Sequence, residues 1–435
     1  MIAATDKHGS GSTNGATSRE TEVNTLIIGG GPAGLTAACF SAGSSLVIEH
    51  LRAPARKLMA TGGGRCNLTH ATDANGITAA FGRQGRFMSS ALRAFPPDAI
   101  RAFFCGLGIA TCVEPDGCVF PVSQKASEIV QALERAARVA GAEIRCGVRA
   151  TRLILSRDDG IARVCAVETS DGIIRAQRVI LAAGGRSYPS LGSDGSGFEL
   201  ARDAGLAVTP PVPALAGLNT QEEWPRTLAG IVLERGGFRL GGKEAAKEWL
   251  TGPILFTHKG ISGPPALDLS GEINARLLAP SAAPVTVLLS CMAGRTASDW
   301  RALFDSWRTR HGGRALHNLL SGELPRSLAS ALCELAGAQD ITAAQAKRNV
   351  LDALATACSG QPLNITATEG WNRAMVTRGG VALSELDPQT LACRKIPNLF
   401  CAGEVVDLDG RCGGYNLTWA FASGRLAGIT CSMNR

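Results

Sequence analysis

The sequence predicts an α/β protein whose Rossmann-type dinucleotide-binding domain opens and closes the chain around an inserted segment. Three observations predict this fold. A glycine fingerprint follows an apolar strand near the N-terminus, an apolar strand ends on glycines in Val179–Gly185, and another ends on Gly-Glu in Ile396–Val405. Ligands of parallel α/β sheets bind beyond the carboxyl ends of the strands, so glycines at these ends predict a cofactor site.

The glycine fingerprint consists of Gly29, Gly31 and Gly34 within Leu26–Cys39, directly after the predicted strand Thr25–Ile28. In this pattern Gly29 makes the tight turn, Gly31 lets the backbone approach a pyrophosphate, and Gly34 lets helix and strand pack closely. Glycine loops are common, but here strand, spacing and helix agree. The pattern therefore predicts an adenine dinucleotide site.

Two further features complete the predicted dinucleotide site. The helix that starts at Pro32 and Ala33 offers free N–H groups and a positive dipole end to phosphates. Glu49 lies twenty residues after Gly29, at the end of the predicted strand Leu46–Ile48, where it would accept hydrogen bonds from a ribose.

The composition of the 435-residue chain, with 45% hydrophobic and 19% charged residues, is that of an ordinary globular protein. No apolar stretch is long enough to span a membrane, and residues 1–22 read as a disordered tail without a signal peptide, so a cytoplasmic protein is expected. The 14 cysteines include no C-x-x-C pair and there are only six histidines. Reduced, mostly buried thiols and no metal site are therefore predicted.

The net charge of +7 is unevenly distributed, because Leu51–Arg93 contains seven basic residues and one acidic residue. The first few arginines could serve only the phosphates of the cofactor, or the segment could be a solvated face. The third interpretation is a surface for a polyanionic partner.

The rest of the chain is expected to alternate between β-rich and helical segments. An amphipathic helix over Ser127–Ala140 precedes a predicted four-stranded meander of Glu143–Val148, Thr151–Ser156, Ala162–Thr169 and Gly172–Ala176. The composition shifts at Pro210, after which the chain is β-rich and then helical. The expected domains are a first cofactor-binding part over 23–209, a β-rich insertion over 210–295, a helical insertion over 296–361 and a second cofactor-binding part over 362–435.

Several long motifs outside the fingerprint carry a family resemblance. They are Lys57–Thr69, Gly117–Pro121 with Lys125–Ser127, Leu181–Pro189, Leu255–Pro264, Arg378–Val381, Ala402–Gly410 and Gly413–Leu417. Together they resemble the YhiN/BaiN-like family of bacterial flavoproteins over nearly the whole chain after Val23.

The resemblance implies FAD as the cofactor and a Rossmann-type domain split by a β-barrel-like domain and a small helical domain. Ala55 and Arg56 occupy the place where some related flavoproteins attach FAD through a histidine, so non-covalent FAD is expected. The resemblance also implies a glycine loop against the flavin ring, a strand-end acid on the ribityl chain, and a helix N-terminus at the pyrimidine edge. The expected cofactor contacts are Gly29, Gly31, Pro32, Ala33, Gly34, Glu49, Lys57, Thr61, Gly62, Gly63, Gly64, Arg65, Val148, Ala183, Gly184, Gly403, Glu404, Gly413, Gly414, Asn416 and Leu417.

Four residues are candidates for the chemistry. Cys66 follows the glycine loop and could act as an acid near the flavin, although a small buried side chain is the alternative. Cys412 is a second thiol of the same kind. His258 and Ser262 lie in a motif of the insertion and could contact the substrate, although a lone histidine is more often structural.

The family resemblance leaves three functions open. The first is reduction of a uridine in large-subunit ribosomal RNA to dihydrouridine, with Cys66 as proton donor and the basic segment as RNA contact. The second is oxidation or ene reduction of a small metabolite, an amine or an enone. The third is an RNA-binding flavoprotein without turnover.

Since the chain shows no second glycine fingerprint, NAD(P)H would have to reduce the flavin without a dedicated Rossmann site. The sequence does not determine the oligomeric state.

Overall fold

The computed structural model describes residues 21–242, 248–280 and 283–433. Most of the tail predicted over 1–22 lies outside these residues, and Thr21 already begins the first strand. The strands are β1 (Thr21–Ile28), β2 (Ser45–Glu49), β3 (Thr69–His70), β4 (Thr111–Val113), β5 (Cys118–Pro121), β6 (Ala142–Cys146), β7 (Ala150–Asp158), β8 (Ile161–Thr169), β9 (Gly172–Leu181), β10 (Val208–Ala214), β11 (Leu218–Thr220), β12 (Val232–Leu240), β13 (Leu250–Thr257), β14 (Gly260–Ser262), β15 (Val285–Ser290), β16 (Gln361–Thr368), β17 (Val376–Val381) and β18 (Leu399–Cys401).

Helices occupy the segments between these strands. They are α1 (Pro32–Phe40), α2 (Arg56–Ala60), α3 (Ala74–Ala80), α4 (Ser89–Ala94), α5 (Pro97–Gly106), α6 (Ala126–Val139), α7 (Ser196–Asp203), α8 (Trp224–Thr227), α9 (Pro264–Leu277), α10 (Ala297–Arg310), α11 (Leu316–Leu320), α12 (Arg326–Leu335), α13 (Arg348–Gly360) and α14 (Tyr415–Met433). Short 3-10 helices include Thr61–Gly64 and Gly82–Met88. None of the helices in the described residues combines the length and apolarity needed to cross a membrane.

The main sheet has the order β6-β2-β1-β9-β8-β7, and β18 also pairs with β9. Strands β6, β2, β1, β9 and β18 run parallel, which confirms the predicted Rossmann-type core. All residues of β2 are buried, as expected for a parallel strand covered on both faces.

The expected four-stranded meander is wrong in its first strand. Residues of β6 pair in parallel with β2, from Ala142 opposite Ser45 to Cys146 opposite Glu49. Because β6 follows α6, the chain makes a βαβ crossover and returns parallel to the sheet. Only β7, β8 and β9 form the antiparallel meander.

The inserted segment forms a closed barrel in the order β11-β14-β13-β12-β15-β16. Its last strand, β16, comes after the helical part of the insertion, so the barrel continues beyond the boundary expected at residue 362. The β-rich part also contains one long helix, α9, which buries Ala266, Leu269 and Ile273 at helical spacing.

The barrel and the helices α10–α13 share one hydrophobic core. In α10 the side chains of Trp300, Phe304 and Trp307 are buried at helical spacing, and they belong to the same cluster as Phe238 and Phe256 of the barrel. The two insertions that the sequence separates therefore pack as a single unit.

The C-terminal helix α14 packs tightly against α1. A Cβ on Gly424 would stand 2.3 Å from the Ala33 carbonyl oxygen, and one on Gly428 would stand 2.4 Å from that of Ala37. The glycines let the two helix backbones approach, and this contact places the N-terminus of α14 beside the glycine fingerprint.

Candidate active site

A cavity of about 380 Å³ opens at the carboxyl ends of β1, β2 and β9. Ile28, Ile48 and Ala182 mark these strand ends in its wall. The N-terminal part of α14 and the β10–β17 ribbon complete the wall. This is the position at which doubly wound sheets bind their ligands.

The glycine fingerprint has the geometry that its pattern predicts. Gly29 has φ +108°, a left-handed conformation, and a Cβ there would stand 2.4 Å from the Ala182 carbonyl oxygen. A Cβ on Gly34 would lie 1.9 Å from the Gly29 carbonyl oxygen, so only glycine lets α1 pack this closely on the turn. Gly31 lines the cavity, and a Cβ there would point into open space. A phosphate could occupy that space beside the first turn of α1.

Glu49, the last residue of β2, lines the cavity. Its carboxylate accepts the backbone N–H of Gly30 at 2.9 Å and that of Leu51 at 2.9 Å, and His50 Nδ1 lies 3.1 Å away. Burial alone would raise the pKa of Glu49, but these contacts outweigh burial and the pKa is lowered. The carboxylate is therefore ionised and keeps acceptor capacity for a ribose hydroxyl.

Glu404 lines the cavity, and its carboxylate accepts hydrogen bonds from three residues of the protein. Lys57 Nζ stands 2.5 Å from Glu404 Oε2, while the Ser187 hydroxyl and the Thr377 N–H each donate to Oε1 at 2.8 Å. Lys57 also donates to Ser187 Oγ at 2.6 Å. This network ties the start of the chain to its C-terminal part around the cavity wall.

The other end of the cavity combines a glycine turn with a helix N-terminus. Gly62 and Gly63 have φ +57° and +68°, and both are exposed to the cavity. A Cβ on Gly63 would meet nothing within 4 Å, so a planar group can approach this backbone. Gly413 and Gly414 precede α14, whose first N–H groups have no partner within the helix.

The structure does not bring Cys66 to the cavity. The thiol is fully buried, and burial raises its pKa to about 12 despite a hydrogen bond with Thr61. Cys66 has φ +65°, and this left-handed conformation accompanies a side chain packed in the protein core. Cys412, in contrast, lines the cavity directly before Gly413.

Several other expected site residues do not line the cavity. His258 is exposed in the turn between β13 and β14, and Ser262 ends β14. Arg65 is held by the β4–β5 hairpin, where it pairs with Glu114 at 2.6 Å and lies 3.9 Å from the Phe120 ring centre. Gly64 and Gly34 are also absent from the wall, the latter in keeping with its packing role. Those that do line the cavity are Gly29, Gly31, Pro32, Ala33, Glu49, Lys57, Thr61, Gly62, Gly63, Val148, Ala183, Gly184, Gly403, Glu404, Gly413, Gly414, Asn416 and Leu417.

Sequence reasoning missed one wall of the cavity, which is formed by Tyr188, Leu215, Met375 and Val376. Leu215 and Val376 belong to a small apolar cluster between the β10–β17 ribbon and α9. Tyr188 stands in the quoted Leu181–Pro189 motif, so the motif was a signal for it. Nothing local marks the others, because chain segments more than 150 residues apart meet here.

The carboxylate of Asp268, on α9 of the insertion, lies behind the cavity wall and contacts Cys412, which lines the cavity. Its Oδ1 accepts the Cys412 N–H at 2.8 Å. Burial raises the pKa of Asp268 to about 6, although this hydrogen bond and the charge of Arg411 oppose the rise. Burial and then the charge of Asp268 raise the pKa of the Cys412 thiol to about 11. The thiol is therefore protonated at neutral pH.

Four exposed arginines, Arg56, Arg83, Arg86 and Arg411, form what we call the basic rim. Arg56 and Arg411 line the cavity itself. Arg83 and Arg86 lie on the 3-10 helix after α3, and the Arg411 N–H donates to the Ala80 carbonyl at the end of α3 at 3.2 Å. Within the described residues, none of the four forms an ion pair with a carboxylate.

The residues of the cavity fit an adenine dinucleotide. The same cavity is lined by an acid that can bind a ribose, by an open space over Gly31 at a helix start, and by an exposed glycine turn together with a second helix start. In the described part of the chain, no three metal-ligating side chains cluster together.

Comparison with known proteins shows that the chain matches a known family. A model described as "HI0933-like protein Rossmann domain" matches residues 23–430. The chain is 34% identical over 409 residues to a 3-dehydro-bile acid delta(4,6)-reductase of Clostridium scindens, covering 92% of this chain and 97% of the relative. It is 28% identical to a ribosomal RNA dihydrouridine synthase of Escherichia coli, covering 92% and 95% of the two chains.

Among solved structures, a 3-ketosteroid delta1-dehydrogenase from Sterolibacterium denitrificans superposes with a TM-score of 0.52. The match covers 95% of this chain and 100% of that chain at 14% sequence identity. At this identity the likeness concerns the fold alone.

Proposed function

The chain belongs to the HI0933-like family and is a flavin-dependent oxidoreductase, and we propose that it binds FAD non-covalently and reduces a uridine of large-subunit ribosomal RNA to dihydrouridine. The observation that supports RNA as the substrate is the basic rim at the mouth of the cavity. Two of its four exposed arginines line the cavity, and the other two lie on the adjoining surface. A polyanion would bring its phosphates to these unpaired guanidinium groups.

The glycine turn, the two helix starts and the two acids Glu49 and Glu404 would hold the cofactor. When bound and reduced, FAD supplies a hydride to the β-carbon of a conjugated carbonyl, which in uracil is C6. Product formation then requires one proton at the α-carbon, C5 of uracil, so that the C5–C6 double bond becomes a single bond.

Cys412 is the proton donor in this proposal, in place of Cys66. Cys412 lines the cavity three residues before the start of α14, whereas Cys66 lies in the core. A thiol with a pKa of about 11 holds its proton at neutral pH and can release it as negative charge develops on the substrate. Asp268 holds the Cys412 backbone through the hydrogen bond at 2.8 Å.

The target base must leave its stack to enter the cavity, because the reacting atoms of a paired base are covered by its neighbours. The apolar wall of Leu215, Met375 and Val376 offers a surface for such a base. It also favours the second candidate function, reduction of the enone of a small apolar molecule such as a steroid. The same hydride and proton chemistry applies to both substrates, and the relative at 34% identity is named as a bile acid reductase.

The two functions are separated by a competition assay with the reduced, flavin-loaded protein. Large-subunit ribosomal RNA from a strain lacking the gene and a 4-en-3-one steroid are offered together, and both products are measured by mass spectrometry. We expect dihydrouridine at one site of the RNA and little steroid reduction. Fast steroid reduction with unmodified RNA would assign the second function.

Acid precipitation tests the non-covalent attachment. We expect all of the flavin in the supernatant, identified there as FAD. Flavin that remains in the pellet would contradict the proposed binding.

A further inference from the structure

Trp371 is placed unlike the tryptophans of the protein cores. Of the six tryptophans, Trp224, Trp300, Trp307 and Trp419 pack in or against the two main hydrophobic clusters. Trp371 belongs to neither cluster and stays half-buried in the turn between β16 and β17. A half-buried indole outside the cores can offer part of its ring surface to a ligand.

The turn places the Trp371 backbone in contact with the cavity wall, although Trp371 itself does not line the cavity. The Tyr188 N–H donates to the Trp371 carbonyl at 3.0 Å, and Tyr188 itself lines the cavity. Met375, four residues further along the chain, also lines the cavity and is 44% exposed. Trp371 is therefore adjacent to the apolar wall where a substrate ring would lie.

Tyr188 is held in a strained conformation at this place. Its φ is +53°, in the left-handed region that a bulky side chain rarely adopts. Hydrogen bonds at its N–H and at its carbonyl, which accepts the Leu191 N–H at 2.8 Å, keep the backbone in that shape. Strain of this kind is concentrated at ligand sites, where the surrounding structure enforces it.

Two arginines lie near the Trp371 ring, one in space and one in the chain. The Arg186 guanidinium lies 5.1 Å from the centre of the Trp371 ring, and Arg373 is exposed two residues further along the chain. Arg186 and Arg373 form no ion pair with any carboxylate of the described residues. An aromatic ring flanked by unpaired guanidinium groups has the chemistry that binds single-stranded nucleic acid, in which bases stack and phosphates are neutralised.

We propose that Trp371, with Arg186 and Arg373, forms a stacking site for an RNA base next to the uridine that enters the cavity. This inference rests on the proposed RNA substrate and adds to it the subsite that receives a flanking nucleotide. Extruding a base from RNA removes stacking from its neighbours. The indole ring and the Arg186 guanidinium replace that stacking, while Arg373 meets the adjoining phosphate.

The test is equilibrium binding of short RNA to the full-length, FAD-loaded protein. The probes are a labelled oligouridine and an abasic ribose-phosphate strand of the same length and charge, followed by fluorescence anisotropy. We expect Trp371→Ala to weaken oligouridine binding by about fivefold or more, the range of one lost stacking contact, and to leave abasic-strand binding unchanged. Trp371→Phe should keep most of the affinity, because a phenyl ring also stacks.

Trp249→Ala is the matched control. Trp249 is also half-buried, and Arg239 lies 4.6 Å from its ring centre, but it directly precedes β13, none of whose residues lines the cavity. Its removal should leave binding of both probes unchanged. Flavin absorbance and the thermal midpoint verify that each variant is folded.

Equal effects of Trp371→Ala on both probes, or no effect on oligouridine, would overturn the stacking site. So would a wild-type protein that binds oligouridine no better than the abasic strand. Neither result touches the proposed reaction, which fails separately if the protein forms no dihydrouridine in ribosomal RNA.

Discussion

Lys57 Nζ lies 2.5 Å from Glu404 Oε2, although the two residues are 347 positions apart in the chain. Lys57 belongs to α2, directly before the glycine turn, and Glu404 follows β18 in the C-terminal part. About a fifth of each side chain is exposed, so the charges are largely removed from water. The ion pair thus joins the two parts of the split domain at the cavity wall.

Breaking this pair should destabilise the protein. We expect Lys57→Met to lower the free energy of unfolding by about 1–3 kcal/mol, because the Glu404 carboxylate loses its cation while still half-buried. The double variant Lys57→Met/Glu404→Gln should lose less than the sum of the single variants. Denaturant unfolding of the flavin-free proteins measures this, and additive losses would show that the pair is not coupled.

Gly31→Leu should abolish flavin binding while leaving the fold intact. Gly31 has an ordinary negative φ and a Cβ there meets nothing within 4 Å, so the side chain adds no strain but fills the expected place of the pyrophosphate. The matched control is Gly106→Leu at the end of α5, where a Cβ also meets open space, away from the cavity. Flavin content after purification decides the matter. A yellow Gly31→Leu protein would refute the assigned phosphate position.

The two cysteines near the glycine loops should behave differently. Cys412→Ala should retain its flavin and slow product formation by about a hundredfold or more, because the proposed proton donor is lost. Cys66→Ala should keep most of its turnover but lose thermal stability, because it empties a fully buried position. Single-turnover assays of dihydrouridine formation measure both. The reverse pattern would return the role to Cys66.

Asp268 should make the stability of the protein depend on pH. Burial raises its pKa from 3.8 to about 6, so between these values the folded state binds more protons than the unfolded state. Its contribution to stability therefore falls as the pH rises through this window, by about 3 kcal/mol, and stays low above it. Asp268→Asn, which cannot ionise, should raise the thermal midpoint relative to wild type at about pH 7 but not at about pH 4. An equal difference at both pH values would contradict the raised pKa.

Much of the candidate cofactor site could be predicted because its signals are local. The turn at Gly29, the packing at Gly34 and the acid at Glu49 depend on spacing within one βαβ unit, and the structure has each in its expected place. The pairing of β6 could not be read in the same way. Its short apolar pattern suits an antiparallel or a parallel neighbour equally, and the preceding helix decides between them.

The substrate side of the cavity could not be predicted, because it is assembled from distant segments. Asp268 contacts Cys412 across 144 positions, and Tyr188 and Met375 line the same cavity although they are nearly 190 positions apart. Cys66 shows the opposite error. Gly63 and Asn67, close to it in the chain, line the cavity, but the Cys66 side chain packs into the core.

The central claim is that the substrate is a uridine of large-subunit ribosomal RNA, and dihydrouridine in that RNA tests it most directly. The RNA is isolated from cells with and without the gene, digested to nucleosides and analysed by mass spectrometry, with position mapping by fragment analysis. We predict one dihydrouridine that disappears with the gene and returns with the wild-type gene but not with the Gly31→Leu variant. An unchanged dihydrouridine level in the deletion strain would contradict the proposed substrate.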